Sequence, residues 1–260
     1  MAFKTWHTGV HIQQDKVLAV ALVREKSGWG LRRWWQLPLA EGIIREGQIL
    51  KPEQLAAALS EWRKMLPHQH QIYLAFPAAR TLQRTLPRPA MTLRESEQSA
   101  WIASAMSREL EMAPDALRFD YAEDTFSHAY HVTAAQNKEV STLLELAQLL
   151  RLRLATITPD AGALAHFLPF LQAPAQCVAW RDHDQWLWAM RHQWGRRGLA
   201  EAPGVEQLAA LLALRTDEIA CCDADRFDPW RVLSHCQPPL PENGAAFSVA
   251  LALAMGGEPV

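Results

Sequence analysis

Two β-meanders, one on each side of a long α/β interval, restrict this chain more than any other feature. Residues 17–23 are an apolar, β-rich run behind the polar group Gln13-Gln14-Asp15-Lys16. Residues 9–12 in front of that group also read as strand, so the pair predicts a β-hairpin. Residues 31–37 supply a third strand, with Leu31, Arg33, Trp35 and Leu37 expected on one face and Pro38 ending it. Pro52 then opens a helix whose Leu55, Ala58, Leu59 and Trp62 make a stripe at helical spacing, closed by Pro67. A short buried strand at 72–76 follows. The order β-β-β-α-β implies a mixed sheet covered by a helix. A second run of three strands, at 177–181, 185–190 and 192–197, repeats the opening.

Between the meanders, residues 77–94 are extended and punctuated by Pro87 and Pro89. Thr92 and Glu95 have capping-box spacing for the next helix, which carries Ile102, Ala105, Met106 and Leu110 on its apolar side. Strands at 117–122 and 130–135 follow, then a helix capped by Asn137 and a strand at 152–157. This middle section reads β-α-β-β-α-β, a small α/β module.

Composition narrows the function classes. A net charge of −2 on 260 residues gives no global field towards nucleic acid or acidic lipid. The apolar runs 17–23 and 247–255 are shorter than the roughly 20 residues that span a bilayer, and residues 1–11 do not read as a signal peptide. The four cysteines, Cys177, Cys221, Cys222 and Cys236, make no CxxC pair, so neither a disulfide framework nor a zinc site is read; a cytoplasmic protein is expected. The 20 Arg and 11 Trp are residue types enriched at protein interfaces, although Trp is as much at home in a core.

Five stretches in chain order resemble the PilM family of type IV pilus assembly proteins. Gly42-Ile43-Ile44-Arg45-Glu46-Gly47-Gln48-Ile49, with Pro52, Leu55, Ala56 and Leu59 after it, is similar to that family's G-x-I-x-x-G-x-I-x-x-P segment. Ala75-Phe76-Pro77 with Leu86-Pro87, Phe119-Asp120-Tyr121, residues 154–160 with Pro159, and FSVALALAMGG at 247–257 resemble its later landmarks. The resemblance implies an α/β, actin-like (ribonuclease H-like) ATPase fold with an inserted small α/β module and a reduced second lobe. Residues 1–79, completed by about 158–174, would be the first subdomain, 80–157 the insert and 175–260 the second lobe. It further implies a cytoplasmic member of a pilus or DNA-uptake platform, held at the inner membrane by the N-terminal cytoplasmic tail of a PilN- or HofN-like single-pass partner. That tail would lie in a groove beside the insert, for which Trp34, Trp35, Leu82, Arg84, Leu86 and Arg88 are the expected residues.

In the actin-like frame the first hairpin holds nucleotide phosphates, with a family pattern resembling G-I-D-I-G-S-S-S-V-K. Here His11 replaces the Asp that places Mg²⁺, Gln13 a Gly that lets backbone approach phosphate, Gln14 a Ser and Leu18 the Lys. Asp15 is the one carboxylate that a shifted turn would offer instead. The second hairpin, Trp180-Arg181-Asp182-His183-Asp184, lacks the expected D-x-G, residues 198–217 are too few for a full covering subdomain, and residues 220–225 hold no glycine for the adenosine loop. The expectation is a chain that is not an enzyme and takes no cofactor, ATP and Mg²⁺ included. A weak nucleotide-binding switch and a direct single-stranded DNA binder are the alternatives.

The DNA reading draws on Arg80, Arg84, Arg88 and Arg94 in an acid-free stretch, and on Trp180, Trp186, Trp188 and Trp194 as a stacking surface. The competing readings are a solvated edge strand and the buried face of a sheet. His68 with His70, and His7 with His11, lack the companion ligands of a metal site, and no G-x-S-x-G elbow supports a hydrolase.

Overall fold

The computed structural model describes residues 4–91, 93–124, 128–223, 226–236 and 239–256. The chain divides into two compact units, Met1–Ala79 with Leu146–Val260, and Arg80–Glu145.

The first unit is built on one plan used twice. Strands β1 (Trp6–Ile12), β2 (Lys16–Glu25) and β3 (Gly28–Pro38) form an antiparallel meander. A short hairpin, β4 (Ile44–Arg45) and β5 (Gln48–Ile49), leads to helix α1 (Pro52–Met65), with Pro52 in its first turn. Strand β6 (His70–Phe76) then pairs parallel with β1. In the second sheet, β11 (Cys177–Arg181), β12 (Gln185–Ala189) and β13 (Trp194–Gly198) repeat the meander, and β14 (Ile219–Cys221) lies parallel to β11. Helix α5 (Val205–Leu211) precedes β14.

The two sides of the first sheet follow from alternation. Leu18, Val20 and Leu22 are buried on one side with helix α6 (Ser248–Met255), all eight of whose residues are buried. Glycine at position 9 permits that approach: a Cβ there would lie 1.9 Å from Ala250 O and 2.7 Å from Ala254 N. On the other side Trp35 meets the α1 residue Trp62 edge to face, ring centres 6.2 Å apart. Alternation does not carry through β3. Its register shifts between Leu22–Leu31 and Ala21–Arg33, so Arg32 is an extra residue, a β-bulge. Leu31 therefore shares the α6 side with Trp34, while Arg33 and Trp35 turn to the other; the single face expected for Leu31, Arg33, Trp35 and Leu37 does not exist.

The second unit holds β7 (Thr81–Pro87), α2 (Glu95–Leu110), β8 (Leu117–Asp124) and β9 (Ala129–Gln136), with strand order β7-β9-β8 and both pairings antiparallel. Ile102 and Met106 of α2 bury the sheet face made by Leu86, Tyr130, Val132 and Ala134. The start of α2 differs from the expected capping box. The Arg94 N–H donates to the Glu97 carboxylate at 2.8 Å, two residues past the expected partner Glu95; Thr92 lies outside the described residues. Asn137 opens α3 (Asn137–Leu149), and its side chain meets Arg118 and the Asp115 carbonyl, tying the helix start to the beginning of β8. Strand β10 (Leu154–Pro159), read in the sequence as the last strand of the middle module, pairs parallel with β6 and completes the first sheet, order β10-β6-β1-β2-β3. Helix α4 (Asp160–Ala163) follows it.

Candidate functional site

The turns that the sequence singles out converge on one cavity of about 580 Å³ in the first unit. Gln13 and Lys16 reach it from the first hairpin, Arg181, Asp182 and His183 from the second, and Cys222, Asp223 and Arg226 from the segment after β14. Gly204 and Val205, at the start of α5, and Asn243, Ala245 and Ala246, ahead of α6, also line it. Of the expected adenosine-loop segment, Ala224 and Asp225 lie outside the described residues.

The hairpins close on themselves. Gln13 N–H donates to Lys16 O at 2.9 Å, and Asp182 N–H donates to Gln185 O at 2.9 Å. The Asp182 carboxylate accepts the His183 N–H at 2.8 Å, and the Asp223 carboxylate accepts the Arg226 N–H at 2.6 Å. Gln13 Oε1 is buried without a hydrogen-bond partner among the described residues.

His11 sits behind this surface. Its ring is edge-on to Trp180 at 5.6 Å, and Nδ1 is buried with no hydrogen-bond partner among the described residues. Burial, helped by nearby Lys16, pushes its pKa down to about 4, so the imidazole is neutral at neutral pH. Asp15 is 63% exposed, pairs with the cavity residue Lys16 at 3.6 Å and does not itself line the cavity. A Mg²⁺–nucleotide needs hard oxygen ligands and bare backbone around the phosphates. A buried neutral imidazole, a glutamine side chain in the first turn and an outward carboxylate do not fit it.

One ionisable group at this end of the unit escaped the sequence reading. Asp160 begins α4, is buried, and accepts the N–H groups of Ala78 at 2.9 Å and Ala161 at 2.6 Å. Burial raises its pKa from 3.8 to about 7 against the pull of those two bonds. The visible signal was a carboxylate placed directly after a strand-ending proline.

The expected groove residues occupy three kinds of place. Trp34 is half-buried, donates its indole N–H to Pro239 O at 3.0 Å and meets Phe247 at 5.4 Å. Trp35 is buried on the opposite face, between Trp6 and Trp62, so the two tryptophans do not wall one groove. Leu86 belongs to the core under α2, whereas Leu82 is 39% exposed. Arg84 pairs with Glu109, and Arg88 pairs with Glu123 and lies over the Tyr130 ring. Arg80 pairs with Glu139. The arginine stretch is therefore acid-free in sequence but not in space. Trp180, Trp186 and Trp188 are buried, the first two donating to Ala245 O and Ala202 O, and Trp194 is half-buried, so the four do not present a shared exposed stacking surface. His70 is also spoken for: Nδ1–H donates to Pro67 O, and Nε2 accepts the Arg153 N–H. Among the described residues no three His, Cys, Asp or Glu gather as metal ligands. The cysteines are free thiols, and burial raises the pKa of Cys177 to about 12, far from thiolate chemistry.

Two meanders, each joined by a parallel strand, with a cavity between the hairpin turns and a helix buried behind them, define an actin-like α/β protein. Among solved structures, the PilM-PilN type IV pilus biogenesis complex superposes with a TM-score of 0.69 at 16% identity, covering 99% of each chain. A Bacteroides thetaiotaomicron protein described as having an actin-like ATPase fold and unknown function gives 0.51 at 9% identity, covering 96% of each. The chain is 53% identical over 256 residues to the DNA utilization protein HofM of Escherichia coli (strain K12), spanning 98% of this chain and 99% of that protein. It belongs to the HofM family. No family profile matches the chain. The PilM-like resemblance and the actin-like fold expected from the motifs are both borne out.

Proposed function

We propose that this protein is a non-catalytic, cytoplasmic scaffold of an inner-membrane platform of the pilus-assembly or DNA-uptake kind, serving the use of external DNA. Its partner is the N-terminal cytoplasmic tail of a PilN- or HofN-like single-pass membrane protein. The observation that carries this reading is an actin-like frame whose first hairpin cannot cradle a Mg²⁺–phosphate. His11 is buried and neutral and Asp15 faces solvent, so the fold is kept while the chemistry that would use it is lost. The family relationship to a DNA utilization protein and the likeness to the PilM partner of a PilM-PilN complex support the same reading. Residues 1–79 with β10 and the residues up to about 174 serve as first subdomain, the rest of 80–157 as the insert and 175–260 as the second lobe.

Titration of the full chain with a synthetic tail peptide of the membrane partner should give saturable binding, while Mg²⁺-ATP gives neither micromolar affinity nor turnover. Absence of peptide binding at high micromolar concentration, or ATP hydrolysis, overturns the proposal. A second reading has one observation in its favour. The cavity survives, with Lys16, Arg181 and Arg226 on its wall, which suits a weakly bound anion acting as a switch. ATP binding without turnover would favour it.

A further inference from the structure

Parallel pairing of β1, β6 and β10 gives the first unit a direction. The cavity stands at the end of the unit where β1 runs into the Gln13 turn. The opposite end, where β6 and β10 begin, has a different character. Helices α1 and α3 finish there, and the Arg63 guanidinium fastens them together by donating to Leu150 O at 3.0 Å and Arg151 O at 3.2 Å. A cation on the carbonyls of a helix C-terminus opposes the negative end of its dipole.

Charge is lopsided at this end. Residues 61–70 and 145–154 contain Arg63, Lys64, Arg151 and Arg153, with His68 and His70, against two acids, Glu61 and the exposed Glu145 one turn before Leu149. Glu61 is already paired with Lys64 at 2.6 Å. Lys64, His68, Arg151 and Arg153 are exposed. Two large apolar side chains stand out among them: Leu149 is 62% exposed and Met65 39%. Long cationic side chains reach phosphate-level headgroups while neighbouring apolar tips enter the acyl boundary, the pattern of interfacial membrane contact.

We propose that this end of the first unit docks directly on an anionic bilayer surface, with Arg151 and Arg153 on the headgroups and Leu149 and Met65 inserted between them. No helix among the described residues is long and apolar enough to cross a membrane, so the contact is peripheral. It adds a second, weaker attachment to the one through the partner's tail, and the cavity faces away from the lipid. Apolar tips standing among cations suit a bilayer, where headgroups meet the charges and acyl chains meet the tips.

The test is co-sedimentation of the full chain with vesicles of about one-third phosphatidylglycerol in phosphatidylcholine, without any partner peptide. The protein should pellet with these vesicles, stay in solution with pure phosphatidylcholine, and be released by high salt. R151Q/R153Q should lower partitioning about tenfold or more, each cation near the surface contributing a few-fold. M65S/L149S should weaken it at unchanged charge. R215Q/R231Q, which removes the same charge from exposed sites elsewhere, should bind like wild type. Thermal melts of each variant check folding. No pelleting with anionic vesicles at low salt, or wild-type partitioning by R151Q/R153Q, overturns the inference. If R151Q/R153Q loses tail-peptide affinity while keeping vesicle binding, the surface belongs to a protein and the inference also falls. Tail-peptide titration of the wild type tests the scaffold reading separately.

Discussion

Replacing Gly9 by alanine offers a direct measure of how tightly β1 and α6 are fitted. The new Cβ would stand 1.9 Å from Ala250 O, 2.7 Å from Ala254 N and 2.8 Å from Leu253 Cβ, where ordinary contact begins at 3.4 Å. Two of the three obstacles are backbone, so no side-chain rotation relieves them. Strand and helix must separate by on the order of 1 Å, and a gap of that size forfeits about a quarter to a half of the dispersion energy across it. The helix concerned has every residue buried, so the loss spreads along its whole length. Overpacking costs about 1–3 kcal/mol and occasionally more; a backbone obstacle belongs at the top of that range. At about 2–4 °C per kcal/mol for a chain of this size, G9A should melt about 6–12 °C below wild type by circular dichroism or calorimetry. Gly198→Ala is the control, because its Cβ would meet only a flexible Glu201 side chain at 3.9 Å. A G9A midpoint within about 2 °C of wild type would refute the claim that close approach dictates this glycine.

Other expectations concern buried groups. The raised pKa of Asp160 means its stabilising, protonated state is fully present below pH 3.8 and is lost as pH rises through about 7. D160N should therefore gain stability relative to wild type between pH 5 and pH 8, by at most about 3 kcal/mol; chemical denaturation at both pH values would show it, and parallel curves would count against it. His11 works in the opposite sense, its contribution being present above 6.5 and lost as pH falls through about 4, so H11L should flatten the acid limb of the stability profile. Leu86→Ala should cost about 2–5 kcal/mol, seen as faster amide exchange in β7, β9 and α2. Unchanged protection there would remove Leu86 from the core of the second unit.

Local patterns in the sequence were enough to place most elements, because each strand or helix carries its own periodicity and its own proline or glycine boundary. What escaped depends on residues far apart. The bulge at Arg32 leaves a run of residues that all suit a strand, so nothing in the run itself reveals the change of face. Strand β10 looks like the end of the middle module, and only its register against Ile72 to Phe76 assigns it to the first sheet. Arg80, Arg84 and Arg88 read as a positive rim because Glu139, Glu109 and Glu123 come from other elements. The hairpin departures at His11 and Gln13 were legible since they depend on side-chain chemistry at fixed positions. The roles of Trp34 and Trp35 were not, because their partners, Pro239 and Phe247 for one and Trp6 and Trp62 for the other, come from other elements.

The burial of α6 against Gly9 also sets a timetable. Strands β1 and β2 are among the first parts of this chain to be synthesised, and the helix that covers them follows every other element of their unit. At about 5–20 residues per second, the intervening chain occupies a ribosome for on the order of ten to forty seconds. Through that interval Leu18, Val20 and Leu22 have no permanent cover. The nascent chain must hold an unfinished sheet out of aggregation until α6 emerges, and removing that helix would uncover a whole sheet face at once.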